Sequence, residues 1–382
     1  MGQNLDRLKL ATGALLVWGS LLASPTLAAE LTTTQLGIKQ RIDGLYTQNR
    51  EAAIAFQQGV GAYNRGDFAT ADREFRRSLQ FDPNIAMGHY LLGNILFRQG
   101  QLPEAATEFQ AAGNLDPTLA DAFFNLGVVR EAQGQLDAAL TAYQRVISIR
   151  SDDWRGYYNA GVIKVRQNNL TEAITLFNSA TRLSPNSAQA QLQLGLALQA
   201  NNQSILASEA IRRAIQLEPN SPVPYYQLGR ILSLQSDFNG AIENFRRAIA
   251  LAPKIPEYQM ELGVAQINTG DFRGAVNTLE AMVAANPNNG AGHYNLAVAL
   301  HRSGDLAGAI GEYEKSIFIN ANQPEALYNL GLAMKDLGRN SAAISTLLNA
   351  RWVYNIDRNQ DRVAAIDRLL LEMIFPFPER RG

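Results

Sequence analysis

The chain contains no cysteine, which removes disulfides, thiolate metal ligands and thiol nucleophiles together. Histidine is scarce too. His89, His293 and His301 are the only three, too few for a metal site built on clustered imidazoles. Neither sign of charge predominates, with Lys and Arg numbering 34 and Asp and Glu 35 among 382 residues. A near-neutral chain lacks the basic surface that captures nucleic acid. No glycine-rich phosphate loop of the P-loop or dinucleotide type is present, and nothing after the first thirty residues approaches a membrane span. At 46% hydrophobic residues the chain is nevertheless too apolar to stay disordered.

The first thirty residues differ from the rest. Arg7 and Lys9 make a basic start, Leu10 to Ala23 is an uncharged, mostly apolar run of 14 residues, and Pro25 breaks it. Small residues at Ala28 and Ala29 then offer a cleavage site. This is the three-part layout of a secretory signal peptide, and the run is shorter than the roughly 20 residues a spanning helix needs. Residues 1–28 are therefore expected to be a cleaved leader that exports the chain to a periplasm. An uncleaved N-terminal segment anchoring it to the membrane is the alternative.

What the chain has in quantity is recurrence. Pro83, Pro117, Pro185, Pro219, Pro253 and Pro287 stand 34 or 68 residues apart. Gly59, Gly93, Gly127, Gly161, Gly195, Gly229, Gly263 and Gly331 share the spacing, with Ala297 in the one gap. Ala71, Ala105, Ala139, Ala173, Ala207, Ala241, Ala275, Ala309 and Ala343 keep it without exception. Nine 34-residue units thus fit between Ala52 and Asp357 with no insertion or deletion.

Each unit reads as two helices and a turn. Gly134 and its equivalents Gly66, Gly100, Gly270, Gly304 and Gly338 suit the left-handed residue that ends a first helix. Asn168 and Asn202 are the next-best choice there, and Ser236 is the exception. Asp67, Asp237, Asp271 and Asp305 place carboxylates where second helices begin. Gly127 and Ala139 are small because the two helices cross closely, with Leu126, Leu136 and Tyr143 filling the space beside them. The boundary proline ends the second helix. Ser151, Ala321 and Asn355 replace it in three units.

This pattern resembles the tetratricopeptide repeat family over residues 52–357. The resemblance implies an all-α fold, a right-handed α-solenoid superhelix of nine helix-turn-helix repeats. Residues 29–51 are expected to supply an N-terminal capping helix and residues 358–382 a C-terminal capping helix and tail, with Asp357 capping the last helix. Val363, Ile366, Leu370, Leu371 and Ile374 form the apolar stripe of that helix. The tail runs Ile374-Phe375-Pro376-Phe377-Pro378, read either as chain folded back or as an exposed docking peptide.

By the same resemblance, first helices line the concave side and present defined positions to a partner. The sixth position carries Asn125, Asn159, Gln193, Gln227, Asn295 and Asn329; the fifth carries Tyr158, Tyr226, Tyr294 and Tyr328. A carboxamide both donates and accepts, so a file of them can hold an extended backbone, and adjacent rings add apolar contact. The alternative is that the amides merely reflect repeat duplication or bond to adjacent backbone. Arg155 and Arg166 fall on the same face and make the central units more basic; with Asn125 and Asn159 they are the nearest approach to a carboxylate clamp. His89 and His293 share the fourth position, where a packing role is expected, and His301 falls on the groove face.

No nucleophile, acid-base pair or metal constellation accompanies these residues, so the expectation is a non-enzymatic scaffold with no cofactor and no metal. Its partner is a protein or peptide, not nucleic acid, and membrane contact is only indirect. The oligomeric state is left open. An export signal followed by uninterrupted repeats resembles exported family members that assemble photosystem II. The alternative setting is an envelope polysaccharide-export or outer-membrane assembly machine.

Overall fold

The computed structural model describes residues 47–321 and 323–375. The expected leader, residues 29–46 of the expected leading cap, and the Phe377 end of the tail lie outside them. The described residues form nineteen helices and no strand, so the chain is all-α, as expected. None of these helices is long and apolar enough to cross a membrane.

The helices divide between two compact units, one ending at Pro185 and the other beginning at Asn186. The first unit holds four helix pairs: α1 (Arg50–Asn64) with α2 (Phe68–Phe81), α3 (Ala86–Arg98) with α4 (Leu102–Leu115), α5 (Ala120–Ala132) with α6 (Leu136–Ile149), and α7 (Trp154–Arg166) with α8 (Leu170–Leu183). The second holds five: α9 (Ala188–Ala200) with α10 (Ser204–Leu217), α11 (Pro222–Leu234) with α12 (Phe238–Leu251), α13 (Pro256–Thr269) with α14 (Phe272–Ala285), α15 (Gly290–Ser303) with α16 (Leu306–Ile319), and α17 (Pro324–Asp336) with α18 (Asn340–Ile356). A last helix, α19 (Gln360–Ile374), follows. From α2 to α18, every second helix starts 34 residues after the previous one.

The turns explain this regularity. Every first helix is followed by a residue with positive φ, and the expected exception is no exception: Ser236 adopts φ 64, beside Asn168 at 58 and Gly134 at 75. The tight turn is dictated by the packing of the pair, and serine carries the strain that glycine avoids. The second helices then start on capped ends. Asp67, Asp237, Asp271 and Asp305 each accept a hydrogen bond from the backbone N–H three residues on, at 2.9–3.1 Å.

Packing within a pair depends on the small residues. A Cβ placed on Gly127 would lie 2.5 Å from the Tyr143 ring, and one on Gly229 would lie 2.6 Å from the Phe245 ring. All nine alanines of the recurring series are fully buried. Each aromatic or aliphatic side chain facing the small residue can therefore reach the opposing backbone, burying apolar area at roughly 25 cal/mol per Å².

One boundary departs from expectation. α18 runs three residues past the point where the other second helices stop, because Asn355 stands where proline would break it. Asp357 is consequently used up in the turn after α18. Asn359 caps α19 instead, its side chain accepting from the backbone N–H of Arg362 at 3.2 Å. Ser151 and Ala321 also replace proline, yet α6 and α16 end on schedule, so proline reinforces the stop without being required for it.

Candidate partner-binding surface

Within each unit the fifth- and sixth-position side chains lie on the first helices and lean toward the neighbouring repeat, and the amides do not form a uniform file. Asn125 is 5% exposed and donates through Nδ2 to Oδ1 of Asn94, one repeat earlier, at 2.7 Å. Gln227 and Asn295 are 2% and 6% exposed. Asn159, Gln193 and Asn329 stay half-exposed. Asn329 donates to the Tyr294 hydroxyl at 3.0 Å, again across a repeat boundary. Asn125 is therefore tied into the array, while the buried Oδ1 of Asn295 meets no hydrogen-bond partner among the described residues, and the half-exposed amides are the ones a partner can reach.

The rings behave similarly. Tyr158, Tyr294 and Tyr328 are half-buried, whereas Tyr226 is buried and stacked on Tyr258 with centroids 4.6 Å apart. Trp154 meets the edge of Tyr158 at 5.8 Å. Burial pushes the Tyr226 and Tyr294 phenols up to about 12, with Glu261 and Glu325 adding to the effect respectively. These phenols remain neutral hydrogen-bonding groups at any physiological pH. Glu261 occupies a sixth position otherwise rich in amides. Burial raises its carboxyl, and the nearby Arg230 only partly offsets this.

The two arginines are engaged internally. Arg155 grips Asp153 with Nε and Nη2 at 2.9 and 2.7 Å, reaches Asp121 at 3.6 Å, and lies over the Phe124 ring at 4.9 Å. Arg166 pairs with Glu131 at 3.0 Å, and Glu131 also accepts from the Tyr143 hydroxyl at 3.1 Å. The expected basic character of the central units is thus met by acids of the preceding repeat.

The histidines have structural duties that are more specific than packing. His89 sets Nδ1 2.6 Å from Glu108 and Nε2 2.9 Å from the carbonyl of Pro83. His293 repeats the arrangement with Glu312 and the Pro287 carbonyl. Tyr225 and Gln259, also at fourth positions, bond the carbonyls of Pro219 and Pro253 at 3.2 and 3.4 Å. Fourth-position polar groups therefore latch the proline turn that joins consecutive repeats. His301 bonds Asp336 at 3.1 Å. No group of three or more potential metal ligands occurs among the described residues.

These cross-repeat partners escaped sequence reasoning, although a signal was there. Glu131–Arg166, Tyr294–Asn329 and His301–Asp336 are each 35 residues apart, the separation at which one first helix meets the next.

Sequence profiles described as TPR repeat match residues 93–134, 130–168 and 161–202. Profiles described as tetratricopeptide repeat match 188–221, 224–255 and 265–324. Together they span more than half of the chain, which belongs to the tetratricopeptide repeat family and is built as a scaffold of such repeats. A comparison with curated protein sequences finds no match. Among solved structures, YrrB, described as a TPR protein with an unusual peptide-binding site, is similar at 22% identity, covering 52% of this chain and 98% of its own, with a TM-score of 0.45. PilF of Pseudomonas aeruginosa is similar at 20% identity, covering 55% and 95%, with a TM-score of 0.47. MamA of Desulfovibrio magneticus is similar at 22% identity, covering 45% and 98%, with a TM-score of 0.42.

Proposed function

We propose that the chain is a non-enzymatic scaffold that holds a polypeptide partner against its first helices. The observation that carries this reading is the division among the amides: Asn125, Gln227 and Asn295 are buried, whereas Asn159 and Asn329, the latter bonded through Nδ2 to Tyr294, stay half-exposed next to the half-buried Tyr158 and Tyr328. An accessible carboxamide next to a ring suits a peptide group and the side chain that follows it. Family membership supports the same reading, because tetratricopeptide proteins bind proteins and peptides.

We further propose that residues 1–28 direct export to a periplasm. The layout suits service in photosystem II biogenesis or, alternatively, in an envelope polysaccharide-export or outer-membrane machine. The test places a photo-crosslinking residue at Tyr158, Tyr328 or, as control, exposed Thr175 on α8 of the full chain in its native host. Crosslinks to a polypeptide from either of the first two positions and not from the third are expected. Asn159→Ala with Asn329→Ala should then weaken that partner about five- to thirtyfold, at about 0.5–1 kcal/mol per hydrogen bond. Crosslinks confined to Thr175 would overturn the assignment of the binding face.

A further inference from the structure

A second surface, lined by none of the fifth- or sixth-position residues, lies between α5 and α6 in the first unit. Gln110 of α4 and the outer side of α6 border a groove of about 840 Å³. Phe123, Leu126 and Ala142 are buried residues of its apolar lining, and Arg130 and Arg145 flank it. Among the described residues neither guanidinium has an ion-pair partner. Arg130 donates to the side-chain carbonyls of Gln133 and Gln135 at 3.3 and 2.7 Å, and Arg145 lies over the Phe123 ring at 5.7 Å. No acidic side chain lines the groove.

The repeat makes this imbalance interpretable. Arg130 is the eleventh residue of its unit, a position filled by Ala62, Leu96, Leu198, Leu232, Leu300 and Met334 in six others. The next unit also has a cation there, Lys164, and neutralises it with Glu172 at 2.6 Å. The residue equivalent to Glu172 in the Arg130 unit is Ala138, and Ala138 lines the groove. The acid that accompanies the cation in one repeat is therefore missing in the other, and its place opens to solvent.

We infer that this groove binds an acidic segment of a partner polypeptide. A carboxylate of the segment takes the place above Ala138 and pairs with Arg130. An apolar side chain covers Phe123, Leu126 and Ala142, and a second carboxylate meets Arg145. Charge-assisted pairing of arginine with carboxylate supplies direction, and the apolar floor supplies contact area.

The test uses the full chain and a fluorescein-labelled hexapeptide alternating glutamate and phenylalanine, with the glutamine-for-glutamate peptide as control, read by anisotropy. Saturable binding of the acidic peptide alone is expected. Ala138→Glu, which installs the carboxylate that the next repeat already carries, should weaken it at least tenfold with unchanged helicity. Arg130→Leu, which restores the residue common at that position, should do the same, whereas Asn159→Ala with Asn329→Ala should have no effect. Equal binding of the glutamine peptide, absence of saturable binding, or full affinity in both groove variants would overturn the inference.

Discussion

Titrating the His89 latch should loosen the turn between the first two repeats. Both ring nitrogens face acceptors, the Glu108 carboxylate at 2.6 Å and the Pro83 carbonyl at 2.9 Å. Only the imidazolium donates from both. Burial opposes that charge, but the bonds to Glu108 and Pro83 and the charge of Glu108 outweigh it, so the pKa of His89 rises above its ordinary value. A group whose folded pKa lies above its unfolded value of about 6.5 contributes fully below that pH, and the contribution fades as pH rises through the folded pKa. A hydrogen bond to a charged group is worth about 1.5–3 kcal/mol, and partial solvent screening of this pair places it near the lower figure. Opening of residues 82–90 should therefore become about tenfold more favourable as pH rises from about 6 through the raised folded pKa of His89. Hydrogen exchange followed by mass spectrometry, corrected for intrinsic rates, measures it. His89→Gln supplies the control, since Gln259 shows that glutamine reaches the equivalent carbonyl without titrating. A wild-type profile that stays flat, or a His89→Gln profile with the same slope, would refute the latch.

Four other outcomes concern the array itself. Asn125→Ala should cost about 1–3 kcal/mol of stability in the first unit, because it strands the buried Oδ1 of Asn94; denaturant melts of the full chain read it. Gly127→Ala should destabilise by about 1–3 kcal/mol through the clash with the Tyr143 ring. Gly311→Ala, where a Cβ meets nothing within 4 Å inside α16, should stabilise by about 0.5–1 kcal/mol, and the two together check the helix-crossing assignment. Ser236→Gly should stabilise by up to about 1 kcal/mol by relieving the left-handed serine, visible as slower exchange in the turn after α11.

The helix pairs were legible because each repeat solves the same steric problem with the same residue. A glycine facing a ring, an alanine at the crossing and a left-handed turn every 34 residues leave few other readings. The exceptions were less legible. Nothing local distinguishes Asn355, where proline is missing and the helix continues, from Ser151, where proline is missing and the helix stops. The binding face was legible as a set of positions and not as a set of roles. Whether a sixth-position amide is free depends on its neighbour one repeat away: Asn125 is held because the ninth position before it is Asn94, where most repeats carry valine or leucine. Arg166 looked like a groove charge because its acid, Glu131, is distant in sequence and adjacent only once the repeats stack, whereas Arg155 is held chiefly by Asp153, two residues before it. Clustering along the chain misses such pairs, and comparison at one repeat's separation recovers them.

The uniform 34-residue interval between second helices constrains how a gene for this chain can grow or shrink. Excising residues 256–289 would join Ile255 directly to Gly290, and α15 would follow α12 in the place of α13. His293 would then meet the carbonyl of Pro253, which Gln259 holds now, as it presently meets that of Pro287. Removing one residue more or fewer would turn the downstream helix by about 100° and carry its buried alanine out of the crossing. Losing or gaining a whole repeat would therefore keep every downstream latch and crossing in register, whereas losing a single residue would not.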